Sequence, residues 1–366
     1  MTGTGAFASR VTVGLSAMAL MAACSGGDGK TSAGGSTSAA GSVSGSVDLN
    51  GAGATFPQPI YNKWFSDYAA KTGVKINYQS IGSGGGVRQI TEQTVDFGAS
   101  DASMSDEELA KAKGGSLMHF PTVLGAVVLT YNVPEITQPL KVSGAVISDI
   151  FLGKVTKWND PRVASLNPGV KLPNSDILVV HRSDGSGTTF VWTDYLASVS
   201  PEWKTKVGKG KEVKWPVGIG GKGNEGVAGQ VKQTPGSVGY VELAYSKQNQ
   251  LPYAQVKNAA GNFIDPSISS ITAAAEAAAI PANTDYRVSI VNSPGPQAYP
   301  ISSFTWLLIY RNQPDAAKAK KLKDFLRWAY SEGEASAAAL DYARLPEAMT
   351  SRLVTRLDSI GGGSTP

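Results

Sequence analysis

The segment DILVVHRSDGSGTTFVWTDYL, residues 176–196, passes from an apolar run through a polar, glycine-containing turn into a second apolar-rich stretch. The first run predicts a β-strand and the stretch from Thr188 predicts a helix, so the turn joins a strand end to a helix start. The first N–H groups of a helix lack partners within the helix, and the helix dipole adds positive potential there. The segment therefore predicts an α/β unit whose turn favours a bound anion.

Side chains in this turn supply further hydrogen-bond donors. Ser186 and Thr188 carry hydroxyl groups, and Gly187 lets a ligand approach the main chain closely. Arg182 offers a planar fork of N–H donors that matches a tetrahedral oxyanion, and Asp184 is placed to pair with that fork and orient it.

Two further segments repeat this arrangement. GAGATFPQPIY, residues 51–61, has glycines before Thr55 and Phe56, and a proline where a first helical turn tolerates one. IGSGGGVRQI, residues 81–90, places Ser83 in the turn before another predicted helix. A single turn of this kind is more typical of a helix cap than of a ligand site. Three of them, one with an arginine, favour a shared anion site.

Asp101 ends the predicted strand in VDFGASD, residues 95–101. An ionised carboxylate only accepts hydrogen bonds, so beside a bound anion it is repulsive unless that anion carries a proton. We therefore expect Asp101 either to accept a proton from a protonated anion or to cap the following helix. Ser103 or Ser105 would fill the capping role equally well.

Length and composition limit the class of protein. A chain of 366 residues exceeds what one hydrophobic core normally supports, and its predicted strands and helices alternate, so we expect two α/β lobes. The net charge of +4 is spread without a basic block, which argues against a nucleic-acid partner. Two histidines and one cysteine leave little to build a zinc site, and we expect neither metal nor cofactor.

The N-terminus has the pattern of an export signal. An apolar stretch too short to span a bilayer ends at Cys24, and residues 1–24 resemble a bacterial lipoprotein signal whose cysteine becomes lipidated. The alternative is an ordinary signal with a cleavage site at AMA, residues 17–19. Residues 25–48 are rich in Gly, Ser, Ala and Thr and predict a flexible tether.

Several long motifs, in the same order along the chain, resemble those of a known family. The family is that of the substrate-binding proteins of bacterial ABC-type phosphate transporters, and the similarity runs from about Asn50 to Pro346. The motifs that carry it are GAGATFPQPIYNKW, IGSGGGVRQI, VDFGASDASMSDEEL, DGSGTTFVWTDYL and WPVGIGGKGNEGVAG. The resemblance implies a two-lobed periplasmic-binding-protein fold of type II, with the ligand in the inter-lobe cleft. Residues 49–122 and 299–366 would form lobe 1, and residues 123–298 would form lobe 2.

The resemblance also implies a phosphate-binding set, with Asp184 as the orienting partner of Arg182. The implied ligand contacts are Ala54, Thr55, Phe56, Ser83, Asp101, Arg182, Ser186, Gly187 and Thr188. Its implied partners are inorganic phosphate and the membrane subunits of an ABC permease with cytoplasmic ATPase subunits. We expect a monomer located in the periplasm or otherwise outside the cytoplasm, anchored to membrane lipid through Cys24.

The implied function is high-affinity capture of inorganic phosphate and its delivery for import, with no catalysis. Asp101 would accept the phosphate proton and so exclude sulfate, which has none at neutral pH. One alternative is a phosphatase, in which Ser186 would be the nucleophile and His181 its base. Another is a binding protein for a different oxyanion, such as sulfate, molybdate or a phosphonate.

Overall fold

The computed structural model describes residues 49–281 and 284–361. The predicted signal peptide, Cys24 and the tether lie outside these residues. Within the described ranges, no helix combines the length and the apolar character needed to cross a bilayer.

Strands and helices alternate along the chain, as predicted. The strands are β1 Leu49–Gly53, β2 Ile76–Ser80, β3 Phe97–Ser100, β4 Leu117–Tyr131, β5 Lys141–Val142, β6 Leu178–Arg182, β7 Ile219–Gly221, β8 Ser237–Glu242, β9 Gln255–Lys257, β10 Phe263–Ile264 and β11 Ser302–Tyr310. The α-helices are α1 Gln58–Thr72, α2 Ser83–Thr91, α3 Asp106–Ala110, α4 Gly144–Phe151, α5 Pro161–Ala164, α6 Gly187–Val199, α7 Pro201–Lys206, α8 Gly223–Gln233, α9 Leu243–Gln248, α10 Ile268–Ala277, α11 Ala316–Ala329 and α12 Glu347–Arg356.

The main sheet has eight strands in the order β2-β1-β3-β11-β4-β8-β6-β7. Strands β1, β2 and β3 are parallel to one another, and so are β6, β7 and β8. We call β1, β2, β3 and β11 the first half of the sheet, and β6, β7 and β8 the second half. A smaller sheet contains β10, β9 and β5.

The long strand β4 joins the two halves. Its residues from Leu117 to Ala126 pair with β11, and those from Val127 to Tyr131 pair with β8, antiparallel in both cases. All 15 residues of β4 are buried. The continuity of the sheet therefore depends on this one strand.

Most of the predicted elements are confirmed, and the differences have local causes. The apolar segment GAVVLTYNV, residues 125–133, predicts a strand, but the strand begins eight residues earlier, at Leu117, although Pro121 lies within it. A proline cannot donate to the ladder, and the pairing with β11 shifts register beside its partner Trp306. The segment from Pro314 to Leu340 predicts one helical region, but α11 ends at Ala329 and short 3₁₀ turns follow it.

Aromatic packing fixes helix α1 over the first half of the sheet. Tyr61, Trp64 and Phe65 are buried on one face of α1. Phe325 of α11 lies against this face, with its ring centroid 5.3 Å from that of Phe65. Such offset and tilted pairs stabilise a core beyond the area that they bury. The packing holds the start of α1, and the turn before it, in a defined position.

Candidate functional site

Three of the predicted site segments follow three neighbouring parallel strands. Thr55 comes after β1, Ser83 starts the helix after β2, and Asp101 follows β3 directly. Because these strands are parallel and adjacent, their carboxyl ends meet at one edge of the sheet. Crevices outside the carboxyl ends of parallel strands are the usual ligand sites of α/β proteins.

The second half of the sheet presents a matching edge. Arg182 is the last residue of β6, and Gly187 begins α6 five residues later. Asn224, in the first turn of α8, follows β7. The carboxyl ends of these parallel strands therefore also meet at one edge.

The turns of the two halves are in direct contact. A Cβ atom on Gly187 would lie 2.6 Å from Asp101 Oδ2 and would also overlap Ser83 Oγ. The Gly84 N–H donates to the Gly185 carbonyl over 2.8 Å. Gly82 has φ +84°, a conformation that favours glycine, and a Cβ there would lie 2.7 Å from the Gly185 oxygen. The first turn joins them through Gly53, whose Cα would lie 2.6 Å from a Cβ on Gly86. The three glycine-bearing turns therefore converge in one place, as the sequence predicts.

Asp101 lies at the centre of this convergence and is 2% exposed. The Thr305 hydroxyl donates to its Oδ1 over 2.8 Å, and its own N–H donates to Ser83 Oγ over 3.1 Å. Burial raises the pKa of Asp101 to about 7, against the lowering effects of the Thr305 hydrogen bond and the Arg182 charge. The carboxyl group is therefore poised to exchange a proton near neutral pH.

The alternative role for Asp101, capping the following helix, is wrong. Ser105 is the N-cap of α3: its side chain accepts the Glu108 N–H, and the Glu108 side chain accepts the Ser105 N–H. This reciprocal capping box satisfies the helix start without Asp101.

Arg182 and Asp184 form a two-point ion pair in the same turn. The Arg182 Nε–Asp184 Oδ1 distance is 2.8 Å and the Nη2–Oδ2 distance is 2.6 Å. Burial opposes the charge on Arg182, but the hydrogen bonds that Arg182 donates to Asp184 outweigh this effect, so the pKa of the guanidinium is raised. The Nη1 group also donates to Thr188 Oγ1 over 3.4 Å. A guanidinium has five N–H donors, so two remain for a ligand.

Backbone amides supply most of the remaining donors. In the described part of the chain, no acceptor is found for the N–H groups of Thr55, Phe56, Ser83, Gly187 and Thr188. Ala54 differs, because its N–H already donates to the Ala99 carbonyl over 3.0 Å and its own carbonyl accepts the Tyr78 hydroxyl. Ala54 therefore helps to fix the backbone of the first turn but has no free backbone N–H to donate to a ligand.

Ser186 caps helix α6 and is fully buried. Its Oγ accepts the Thr189 N–H over 3.0 Å, which leaves its hydroxyl proton available. His181 lies elsewhere: its ring stacks on Trp215 at 4.8 Å and its Nδ1 contacts the Arg182 carbonyl. Among the described residues there is no hydrogen bond between Ser186 and His181, so the nucleophile–base pair of a phosphatase is not formed.

Asn224 belongs to this cluster, although no local sequence pattern predicts it as a site residue. It is fully buried, and its side-chain Nδ2 donates to Thr55 Oγ1 over 2.7 Å and to Thr188 Oγ1 over 3.1 Å. It belongs to the motif WPVGIGGKGNEGVAG, in which Pro216 is a poor residue for a central strand and predicts a loop and a helix start. The structure forms the short edge strand β7 there.

Glu242 lies close behind the cluster, with its backbone N–H donating to Asn224 Oδ1. Burial raises the pKa of Glu242 well above its usual range. The Tyr342 hydroxyl donates its one proton to the Phe56 carbonyl at 2.6 Å and also lies 3.1 Å from Glu242 Oε2. Glu242 Oε2 also accepts the Ala244 N–H over 2.9 Å. Glu242 is therefore part of the buried floor under the Phe56 turn.

A cavity of about 220 Å³ borders the cluster, with Asp101, Ser103, Phe190 and Trp306 among its lining residues. A larger cavity of about 860 Å³ lies further out, between Glu108 and Lys211. Of the expected ligand residues, only Asp101 lines one of these two cavities. Throughout residues 49–281 and 284–361, no three His, Cys, Asp or Glu side chains are grouped to hold a metal ion.

Comparison with known proteins gives the family of the chain. Residues 31–333 match the model of a PBP superfamily domain. The chain is 50% identical over 306 residues to the phosphate-binding protein PstS of Pasteurella multocida, covering 83% of this chain and 88% of that protein. It is 42% identical over 324 residues to PstS of Methanocaldococcus jannaschii, covering 82% of this chain and 83% of that one.

Solved structures give the same fold. A phosphate-binding protein from Stenotrophomonas maltophilia superposes with a TM-score of 0.68 at 20% identity, covering 85% of this chain and 94% of the other. The predicted fold class, an α/β periplasmic-binding-protein fold of type II, is confirmed. The chain belongs to the PstS family of phosphate-binding proteins within the PBP superfamily.

Proposed function

We propose that this protein captures inorganic phosphate with high affinity outside the cytoplasmic membrane and delivers it to an ABC permease for import. The observation that carries the proposal is the meeting of three donor-rich turns around one arginine and one buried carboxyl group. Two relatives with 42–50% identity are named phosphate-binding proteins, which supports the same ligand.

The phosphate oxygens would be satisfied mainly by N–H groups. The proposed contacts are the amides of Thr55, Phe56, Ser83, Gly187 and Thr188, the hydroxyls of Thr55, Ser83, Ser186 and Thr188, and two N–H groups of Arg182. Ala54 would shape the first turn, and Asp184 would hold the guanidinium in place. A buried anion is costly unless each of its oxygens is paired, and this set offers donors from both halves of the sheet.

Asp101 would select a protonated anion. Its carboxyl group has a pKa of about 7, raised by burial, so the carboxyl group and phosphate titrate in the same range and share a proton between them. Sulfate brings no proton at neutral pH and would place an oxygen lone pair against the carboxylate. A buried polar group left without its partner is the strongest basis for rejecting an analogue.

Binding would close two lobes around the ligand. We propose that residues 49–122 and 299–366 form lobe 1 and that residues 123–298 form lobe 2, with β4 passing between them. The hydrogen bond between Gly84 and Gly185 and the ion pair between Lys211 and Glu108 then join opposite lobes. The closed form would dock on the membrane subunits of the permease, whose cytoplasmic ATPase subunits drive import.

The proposed location is outside the cytoplasm, at the membrane surface. Residues 1–24 would act as a lipoprotein signal, Cys24 would carry the lipid, and residues 25–48 would tether the folded part as a monomer. Mass spectrometry of the mature N-terminus distinguishes a lipidated cysteine from cleavage near residues 17–19.

Calorimetry on protein freed of bound ligand by unfolding, dialysis and refolding tests the function. We expect phosphate to bind more tightly than about 1 µM, with sulfate, molybdate and a phosphonate each weaker by orders of magnitude. We also expect no hydrolysis of p-nitrophenyl phosphate by the same sample. Tighter binding of another oxyanion, or measurable turnover that is lost in Ser186→Ala, would replace the proposal with the corresponding alternative.

A further inference from the structure

Asn224 uses all of its side-chain hydrogen-bonding groups within the candidate site. Its Oδ1 accepts the Glu242 N–H over 2.9 Å, and its Nδ2 donates to Thr55 Oγ1 over 2.7 Å and to Thr188 Oγ1 over 3.1 Å. Its backbone N–H also donates to Thr55 Oγ1, over 3.2 Å. The amide cannot be turned over, because the Nδ2 group would then face the Glu242 N–H.

These contacts determine what the two threonine hydroxyls can do. A hydroxyl oxygen has two acceptor lone pairs and one proton. Thr55 Oγ1 accepts two N–H groups from Asn224, and Thr188 Oγ1 accepts one from Asn224 and one from Arg182. With both lone pairs engaged, each hydroxyl is left with only its proton, and it therefore acts as a donor.

The two threonines belong to opposite sides of the site. Thr55 follows β1 in the first half of the sheet, and Thr188 is in the first turn of α6 in the second half. Asn224 itself is carried by α8 of the second half, so its bonds to Thr55 connect the two halves. The Tyr245 hydroxyl reaches the same turn, donating to the Thr55 carbonyl over 2.6 Å.

We propose that Asn224 is a positioning residue that makes the hydroxyl groups of Thr55 and Thr188 obligatory donors to the bound anion. It also couples the orientation of these hydroxyls to the closure of the two halves of the sheet around the anion. The inference rests on the proposed function, because it assigns the hydroxyls to a phosphate ion. An anion with only acceptor oxygens gains from two fixed donors, whereas freely rotating hydroxyls would also present lone pairs to it. When the two halves separate, the Thr55 bonds are lost and this orientation is lost with them.

A double-mutant cycle tests the role by phosphate calorimetry. In the wild-type background, Asn224→Ala is expected to lower phosphate affinity by about 10–100-fold, the range for hydrogen bonds to a charged group. In a Thr55→Val/Thr188→Val background, the same substitution is expected to change affinity by less than about 3-fold, because the hydroxyls through which it acts are gone. An equal loss in both backgrounds means a structural role and overturns the inference.

A second variant reverses the polarity of the side chain. Asn224→Asp is nearly isosteric, but its carboxylate accepts the threonine protons and adds a negative charge beside the anion. We expect it to bind phosphate more weakly than Asn224→Ala. Affinity equal to that of the wild type overturns the inference even if the alanine variant fails to fold. If the wild-type protein does not bind phosphate, the proposed function itself has failed.

Asn167 provides a matched control, because it is buried and hydrogen-bonded but remote from the site. It accepts the Lys141 N–H over 2.8 Å and donates to the Val163 carbonyl over 2.9 Å. Asn167→Ala is expected to lower the melting temperature and to leave phosphate affinity within about 2-fold of wild type. A comparable loss of affinity in both variants means a general loss of stability and counts against a specific role for Asn224.

Discussion

Gly187 and Asp101 are in such close contact that a single methyl group cannot fit between them. A Cβ on Gly187 would lie 2.6 Å from Asp101 Oδ2, and the backbone of Gly187 is not in the left-handed region. Alanine is therefore tolerated by the start of α6 itself. What it would disturb is the approach of α6 to the turn after β3.

Gly187→Ala is expected to weaken phosphate binding without unfolding the protein. The overlap forces the two turns apart at a cost of about 1–3 kcal/mol, which corresponds to roughly 5–150-fold in affinity. Calorimetry and thermal melting measure the two effects separately. Gly229→Ala is the control, since no heavy atom of the described chain lies within 4 Å of its Cβ. Equal affinity in the two variants would show that the turns do not need to meet for binding.

Asp101→Asn is expected to reduce the discrimination between phosphate and sulfate. The amide keeps the shape of the carboxyl group but offers N–H donors to an unprotonated oxygen. Phosphate affinity should fall and sulfate affinity should rise, so that a ratio of roughly 10⁴ or more drops by at least about 10-fold. Competition titrations at neutral pH measure the ratio. An unchanged ratio would remove the proton-acceptor role from Asp101.

The stability of the ligand-free protein should depend on pH through Asp101. Its pKa is raised from 3.8 to about 7, so between these values the folded state holds a proton that the unfolded state has released. The contribution of Asp101 to the free energy of unfolding is therefore fully present below pH 3.8. It decreases by about 1.4 kcal/mol per pH unit as the pH rises to about 7. Denaturant titrations should show the wild type losing stability relative to Asp101→Asn across this window. Parallel pH profiles for the two proteins would contradict the prediction.

Arg182→Lys is expected to lower phosphate affinity by about 10–100-fold although the charge is kept. Lysine cannot form the two-point pair with Asp184 and still present N–H groups to a ligand. The matched control is Arg162→Lys, because Arg162 makes a similar pair with Asp160 at the exposed surface, at 2.9 and 2.8 Å. Calorimetry should find the affinity of the control unchanged. A phosphate affinity for Arg182→Lys within about 2-fold of wild type would exclude the guanidinium as a ligand group.

Local patterns were sufficient to predict the strand–turn–helix units and their helix starts. The turns at Thr55, Ser83 and Ser186 could be predicted because each combines glycine and a hydroxyl residue with the start of an amphipathic helix, all close together in the sequence. That the turns meet followed from the parallel α/β pattern and the family resemblance.

Contacts between distant parts of the chain could not be predicted in the same way. Asn224 and Thr55 are separated by 169 positions, and nothing near Asn224 indicates its partner. The Ala54 N–H donates to the carbonyl of Ala99, which lies on a neighbouring strand rather than in the same turn. Pro121 concealed the true length of β4, because the sequence alone does not show that the pairing with β11 shifts register beside it and leaves Thr122 without a paired residue on β11.

The dual pairing of β4 limits how this protein can be divided or recombined. A fragment that begins after Tyr131 contains β8 and β11 without β4, so each of these two strands loses the neighbour that pairs with it in the sheet. Unpaired N–H and C=O groups along such edges would recruit strands from other chains. The two halves of the sheet can therefore not be exchanged separately. A functional chimera has to keep residues 117–131 together with both β8 and β11, the strands that pair with them.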